Sequence, residues 1–175
     1  AGEKAHGATA YVTLEPCGHH GKTPPCAEAL VQAKVAKVIA AMQDPNPLVA
    51  GNGLAYLQSH GIEAAVGLMQ TQAEALNSGF ISRMTRNLPF VRSKIAASLD
   101  GRTALSNGES QWITGDAARL DVQHWRARSC AILTGVGTVL KDNPSLTVRG
   151  LESTGALERQ PLRVVVDSQL RTPLN

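Results

Sequence analysis

The chain has 175 residues, a formal net charge of +3, 43% hydrophobic and 18% charged residues, and only 3% aromatic residues. That is a globular composition with room for one ordinary domain or parts of two. Its scattered, mild positive charge argues against a nucleic-acid surface, few aromatics leave little for base stacking, and no apolar run is long enough to span a membrane. The opening "AGEKAHGATAY" reads as the tail of a helix entering a strand, so a start inside a longer protein is expected. "AYVTLEP" alternates and is rich in strand formers, which predicts a strand ending at Glu15 before Pro16. In "TPPCAEALVQAKV", Thr23 is a candidate cap, the prolines suit a first turn, and apolar residues recur at helical spacing. "AKVIAAM" predicts a buried parallel strand, and "QDPNPLVAGNG" a Pro- and Gly-rich loop. "GLAYLQSH" predicts a short helix ended by Gly61, and "IEAAVGL" a further strand. Residues 8–68 therefore alternate between strand and helix, the pattern of a parallel α/β layer structure.

"MQTQAEALNSGFISRMTRN" predicts one helix with a weak point at Gly79, and Pro89 marks a domain boundary. "FVRSKIAASLDG" predicts a strand and a tight turn at Asp100–Gly101. "TGDAARLDVQHWRARS" predicts a helix capped by Thr114, with an acid in its first turn. "CAILTGVGTVLKDNP" predicts a strand, a Gly-rich turn and a short helix, and "PLRVVVDS" a last strand. A second α/β domain is thus under way, with no internal repeat.

Chemistry concentrates in "LEPCGHHGKTPPC", which carries two of the three cysteines and two of the five histidines. Cys17 follows a strand end, where α/β sheets collect function, and Cys26 falls in a first helical turn, where the dipole favours thiolate. A zinc centre that activates water needs three protein ligands and an open position. Eight residues separate the cysteines, wider than the gap of about two in most zinc hooks. On spacing alone, half a zinc site and two ordinary thiols both remain open. Three irregularly spaced cysteines make no disulfide framework, so a reducing, cytoplasmic compartment is expected. "GVGTVL" could cradle a phosphate with Gly135 and Gly137 or be a plain turn, and no GxGxxG fingerprint follows a strand.

"TLEPCGHHGKTPPC" followed by "QDPNPLVAGNG" resembles the deaminase half of the bifunctional riboflavin-biosynthesis deaminase-reductases, and "KIAASLDGRTA", "GESQWIT" and "LTGVGTVLKDNPSLTVR" resemble the reductase half. The resemblance covers nearly the whole chain, in the family's order. It implies a partial cytidine-deaminase-like three-layer domain over residues 1–86. A partial dihydrofolate-reductase-like domain is implied over residues 87–175. It implies two cofactors, Zn2+ held by Cys17 and Cys26, and NADPH. His19, Lys22, Asp44 and Asn46 would contact the first substrate, a phosphorylated pyrimidine. Ala96, Trp112, Thr138, Asp142 and Ser168 would contact NADPH. Ser110, Arg126 and Arg149, with the backbone of Leu146, would hold the substrate phosphate in the second site, where the planar guanidinium fork suits phosphate oxygens. Lys94 is the candidate for polarising the substrate near the transferred hydride. Plain readings stand beside these: Trp112 as a core aromatic, Arg126 as an exposed helix residue, and "DPNP" as a stiff turn. Cys130 is read as core, Asp100 as shaping its turn, and His6, His60 and His124 as ordinary helix or surface residues.

The same resemblance exposes a gap. The family takes its third zinc ligand and its proton-shuttling Glu from a His-x-Glu motif, and these 175 residues contain none. Glu15 occupies a different motif, so a structural or supporting contact is expected of it. The expected reactions are hydrolytic deamination of a phosphoribosylated diaminopyrimidinone and NADPH-dependent reduction of its ribosyl group to ribityl. The deaminase centre would be incomplete in the sequence as given, and the reductase would continue beyond it. No nucleic-acid or membrane partner is expected; the sequence does not reveal oligomeric state, and homo-oligomers are a tendency that only the resemblance implies. The alternatives are a deaminase of nucleosides or nucleic acid, and a non-catalytic or degenerate relative that binds NADPH or phosphate.

Overall fold

The computed structural model describes residues 2–151 and 159–173. The chain divides into two compact units, Ala1–Ser93 and Lys94–Asn175. In the first, β1 (Thr9–Val12), β2 (Lys37–Ala40) and β3 (Glu63–Val66) form a parallel sheet in the order β1-β2-β3. The register sets Tyr11 beside Ile39 and Val12 beside Ala40, then Ile39 beside Ala65. Helices α1 (Cys26–Gln32) and α2 (Asn52–Ser59) connect these strands. Strand side chains alternate between faces, and the alternation on β2 buries Val38 and Ala40. Val38 joins Ala27, Val35, Leu57 and Ile62 in one core, flanked by Ala10, Val12 and Ala64. Leu57 is fully buried, a contribution of about 1.5–3 kcal/mol. On β2 and β3, Lys37 and Glu63 lie in register and form an ion pair.

Helix α1 starts at Cys26 with Pro25 at its N-cap position, and no side chain caps it. Thr23 is therefore not the cap, and the prolines precede the helix rather than fill its first turn. The helix predicted over 69–87 is two, α3 (Gln70–Leu76) and α4 (Ser78–Arg86). They break at Asn77, not Gly79. Asn77 leaves helical geometry (φ −108°), and its side-chain amide donates to the Ala73 carbonyl at 2.9 Å. Such local side-chain bonds compete with the helix.

In the second unit, β4 (Ala131–Gly135) and β5 (Leu162–Val166) pair in parallel, Ala131 beside Leu162. Helix α5 (Asp116–Ala127) precedes β4, and α6 (Val136–Asp142) follows it directly. Gly115, not Thr114, is the N-cap of α5, while Asp116 supplies the first-turn acid. Val136, Leu146, Val148 and Leu151 are buried here. The strand expected in "FVRSKIAASLDG" is absent: residues 90–98 lie in no strand. Val91 and Ile95 are 79% and 73% exposed, so β-branched composition alone, with no paired neighbour, did not make a strand. The turn after it does form, with Gly101 at φ +81° and its N–H on the Ser98 carbonyl at 2.9 Å.

Candidate functional site

The first site is built where β1 runs into α1. Glu15 and Pro16 are buried, Cys17 is half-buried, and Cys26 is exposed at the helix start. The Cys17 sulfur accepts the Cys26 backbone N–H at 3.3 Å, and the Cys17 carbonyl accepts the Ala27 N–H at 3.1 Å. Two N–H groups that lack partners in a first turn are thereby satisfied, which fixes the first cysteine against the second. Hydrogen bonding to Cys17, then its charge, then burial push the Cys26 thiol above its ordinary value. Two sulfurs close enough to oppose each other's ionisation suit a cation between them, which would favour both thiolates. A third ligand is another matter. Among the described residues, no three His, Cys, Asp or Glu side chains gather as a metal site.

Glu15 organises what surrounds the cysteines. Its carboxylate accepts four backbone N–H groups: Asp44 at 3.1 Å and Gly51 at 3.0 Å on Oε2, Gly53 at 3.0 Å and Leu54 at 3.3 Å on Oε1. It thereby ties the whole 44–54 loop and the start of α2 to the segment after β1, which ends at Val12 rather than at Glu15. The expected structural role is borne by this geometry. Gly53 is required by the same packing, because a Cβ there would lie 1.7 Å from the Pro16 carbonyl oxygen. Within the loop, Asp44 Oδ1 accepts the Asn46 N–H at 2.8 Å, and Asn46 Oδ1 accepts the Leu48 N–H at 3.1 Å. Both side chains thus shape their own turn. His19 and Lys22 sit exposed on the loop between the cysteines.

In the second unit, Lys94, Trp112, Arg126 and Arg149 line one cleft of about 370 Å³, together with Arg119 and Gln123. Among the described residues, no carboxylate lines it. Arg126 donates to the Thr147 carbonyl at 2.9 Å. Burial first, and the Arg149 charge second, hold its guanidinium below the ordinary value. Two arginines facing one cleft, Arg126 half-buried and Arg149 exposed, favour an anion between them. The reading of Arg126 as a plain exposed helix residue does not hold, since it is half-buried. Trp112 is 70% exposed and so is no core aromatic. Arg119, a residue the sequence did not single out, stacks its guanidinium over the Trp112 ring at 4.5 Å and pairs with Asp116. Its signal was faint, an arginine one turn after an acid on a helix.

The remaining expected contacts lie outside this cleft. Ala96 and Ser110 are half-buried, Thr138 is exposed on α6, Asp142 ends that helix, and Ser168 is exposed after β5. Leu146 has a left-handed backbone (φ 52°) and buries its side chain. Any contact it makes with a ligand would have to use its backbone. Cys130, read from sequence as core, is exposed, with Arg159 Nη2 3.7 Å from its sulfur. The apolar strand after it suggested burial, but the described sheet has only two strands.

Comparisons with known proteins agree with this geometry. The family model of the RibD C-terminal domain matches residues 89–175, and that of the cytidine and deoxycytidylate deaminase zinc-binding region matches residues 1–42. The riboflavin biosynthesis protein RibD of Escherichia coli is 59% identical over all of this chain, and that of Haemophilus influenzae 58% over 98% of it. These alignments take in 50% and 48% of those proteins, so the chain spans about half the length of the curated relatives it matches. Among solved structures, Acinetobacter baumannii RibD (form 1) superposes with a TM-score of 0.93 at 56% identity, covering 100% of this chain and 49% of that one. A Thermotoga maritima diaminohydroxyphosphoribosylaminopyrimidine deaminase/5-amino-6-(5-phosphoribosylamino)uracil reductase does so at 0.84 and 44%, covering 94% and 45%. With the paired cysteines under one matched model and the basic cleft under the other, the chain belongs to the RibD family of riboflavin biosynthesis proteins.

Proposed function

We propose that this chain serves the two chemistries of a bifunctional riboflavin-biosynthesis enzyme. Residues 1–86 would contribute to zinc-dependent hydrolytic deamination of a phosphoribosylated diaminopyrimidinone. Residues 87–175 would contribute to NADPH-dependent reduction of its ribosyl group to ribityl. The observation that carries this reading is the cysteine pair at the start of α1, where the Cys17 sulfur accepts the Cys26 backbone N–H at 3.3 Å. Zinc, when bound, supplies hydroxide near neutral pH. The chain's own residues do the rest of the work there. Cys17 and Cys26 hold the metal, and the rigid 44–54 loop presents Asp44 and Asn46, with His19 and Lys22 reaching from the other loop toward the phosphorylated substrate. In the second unit, Arg126 and Arg149 line the basic cleft and would grip a phosphate, with Ser110 and the Leu146 backbone, which lie outside that cleft, as further expected contacts. Trp112, in that cleft, and Ala96, Thr138, Asp142 and Ser168, outside it, would contact NADPH, which supplies a hydride when bound, and Lys94 would polarise the substrate near that hydride.

Two thiols without a third ligand among the described residues support the further reading that the 175 residues alone release no ammonia. The same observation favours, as a second reading, a relative that binds phosphate or NADPH without catalysis. Zinc content and ammonia release separate these. The purified chain is expected to take up zinc through the thiols, losing it in both Cys17→Ser and Cys26→Ser. A longer protein that contains this sequence is expected to release ammonia, and to stop when Cys26 is replaced. Zinc uptake indifferent to both substitutions would sink the deaminase reading. Full uptake without ammonia release in the longer protein would favour the non-catalytic one.

A further inference from the structure

The segment that carries Leu146 and Arg149 belongs to no strand. An extended, partly buried backbone must still satisfy its polar groups. Here side chains do so. Gln160 places Oε1 on the Val148 N–H at 2.8 Å and Nε2 on the Val148 carbonyl at 3.2 Å. That is a two-point clamp on one residue, of the kind an adjacent strand would supply. Gln123, on α5, accepts the Arg149 N–H at 3.1 Å with Oε1. Arg126, one turn further along α5, donates to the Thr147 carbonyl at 2.9 Å. Val148 is 3% exposed and Leu151 1%, so the segment cannot shift sideways without emptying apolar pockets. Its direction along the cleft is set by the amides.

We propose that Gln160 and Gln123 are positioning residues for Arg149: they substitute for the missing sheet hydrogen bonds, and so hold the Arg149 guanidinium in the cleft beside Arg126. The inference rests on the reading of that cleft as a phosphate site, and goes beyond it by naming what places the arginine. Neither glutamine needs to touch the ligand. Gln160 also lies immediately before Pro161 and β5, so the clamp couples the cleft wall to the start of a strand.

Two measurements on the purified 175-residue chain test this, backbone amide exchange by NMR and titration with ribose 5-phosphate. Gln160→Met is expected to speed exchange at Val148 while the amides of α1 and β4 keep their rates. Gln123→Met is expected to do the same at Arg149. Each should weaken ribose 5-phosphate about fivefold, the value of roughly one hydrogen bond. Gln160→Glu keeps the acceptor for the Val148 N–H but can donate to the Val148 carbonyl only when protonated, so it should restore protection at acidic pH, which a merely space-filling role would not. Unchanged exchange at Val148 and Arg149 in the methionine variants would overturn the proposal. So would failure of Gln160→Glu to slow Val148 at acidic pH, relative to Gln160→Met at the same pH, while β4 stays protected. If the unaltered chain binds no ribose 5-phosphate but the exchange pattern holds, the phosphate reading fails and the clamp stands.

Discussion

The two units solve one problem, how to hold a functional loop still, in different ways. In the first, three paired strands and two helices enclose an apolar core, and one buried carboxylate gathers four loop N–H groups. In the second, the described sheet has two strands, and Leu133, Leu162 and Val166 are 67%, 72% and 57% exposed. There the loop is held piecemeal, by Arg126, Gln123 and Gln160. A central anchor concentrates the stabilisation in one residue; distributed anchors spread it. Losing Glu15 should therefore be far more damaging than losing any one anchor of the second unit.

The sharpest way to break that contrast is Glu15→Leu. It leaves four N–H groups without their acceptor in a site where Glu15 is 3% exposed. A loss of at least about 3 kcal/mol is expected. Urea unfolding followed by circular dichroism measures it, and a loss under 1 kcal/mol would mean that the loop finds other partners. Zinc uptake should fall with it, since the carboxylate's backbone lies two residues from Cys17.

A middling effect is expected of Arg119→Ala. The stack on Trp112 is partly exposed, and such contacts contribute about 0.5–1 kcal/mol at exposed sites. Trp112 shares the chain with Trp125, so the measurement is acrylamide quenching in a Trp125→Phe background. Quenching should increase when Arg119 is removed. No change would show that the ring is held by something else.

Much of this contrast was legible in the chain itself. The alternation of β1, β2 and β3 with helices, the cysteine pair and the "DPNP" loop could all be read in order, because hydrophobic period and turn residues are local signals. Glu15 was visible as an acid at a strand end, but its four N–H partners come from residues 29 to 39 positions away. No local pattern encodes them. The same is true of Gln160 and Gln123, whose glutamines carry no motif. The helix caps at Thr23 and Thr114 misled because a capping side chain competes with whatever else fixes the turn, here Pro25 and Gly115.

The smallest effect sharpens the second unit's description. Burial works to raise the Asp167 pKa, but the Thr172 hydroxyl and N–H, both at 2.7 Å, and the Gln169 N–H at 3.3 Å outweigh it and set it below the ordinary carboxylate value. A folded-state pKa below the unfolded one gives stability that is present above the unfolded value and is lost as pH falls through the folded one. Thr172→Val removes the hydroxyl donor and should move the folded pKa back up, so that the loss begins at higher pH. Titration of the Asp167 carboxyl by NMR reads this directly; an unmoved pKa would assign the shift to the backbone donors alone.

The sequence by itself determined the order of strands and helices over residues 8–68, the residue types at both sites and the family resemblance. Each of these is written in spacing, and spacing is a property of neighbours along the chain. The tertiary structure alone decided that the Cys17 sulfur meets the start of α1. It alone brought Lys94, Trp112, Arg126 and Arg149 to one cleft, and let glutamines stand in for a strand. The physical reason is that a hydrogen bond is satisfied by whichever group folding brings within reach, and reach in space is not recorded by distance along the chain.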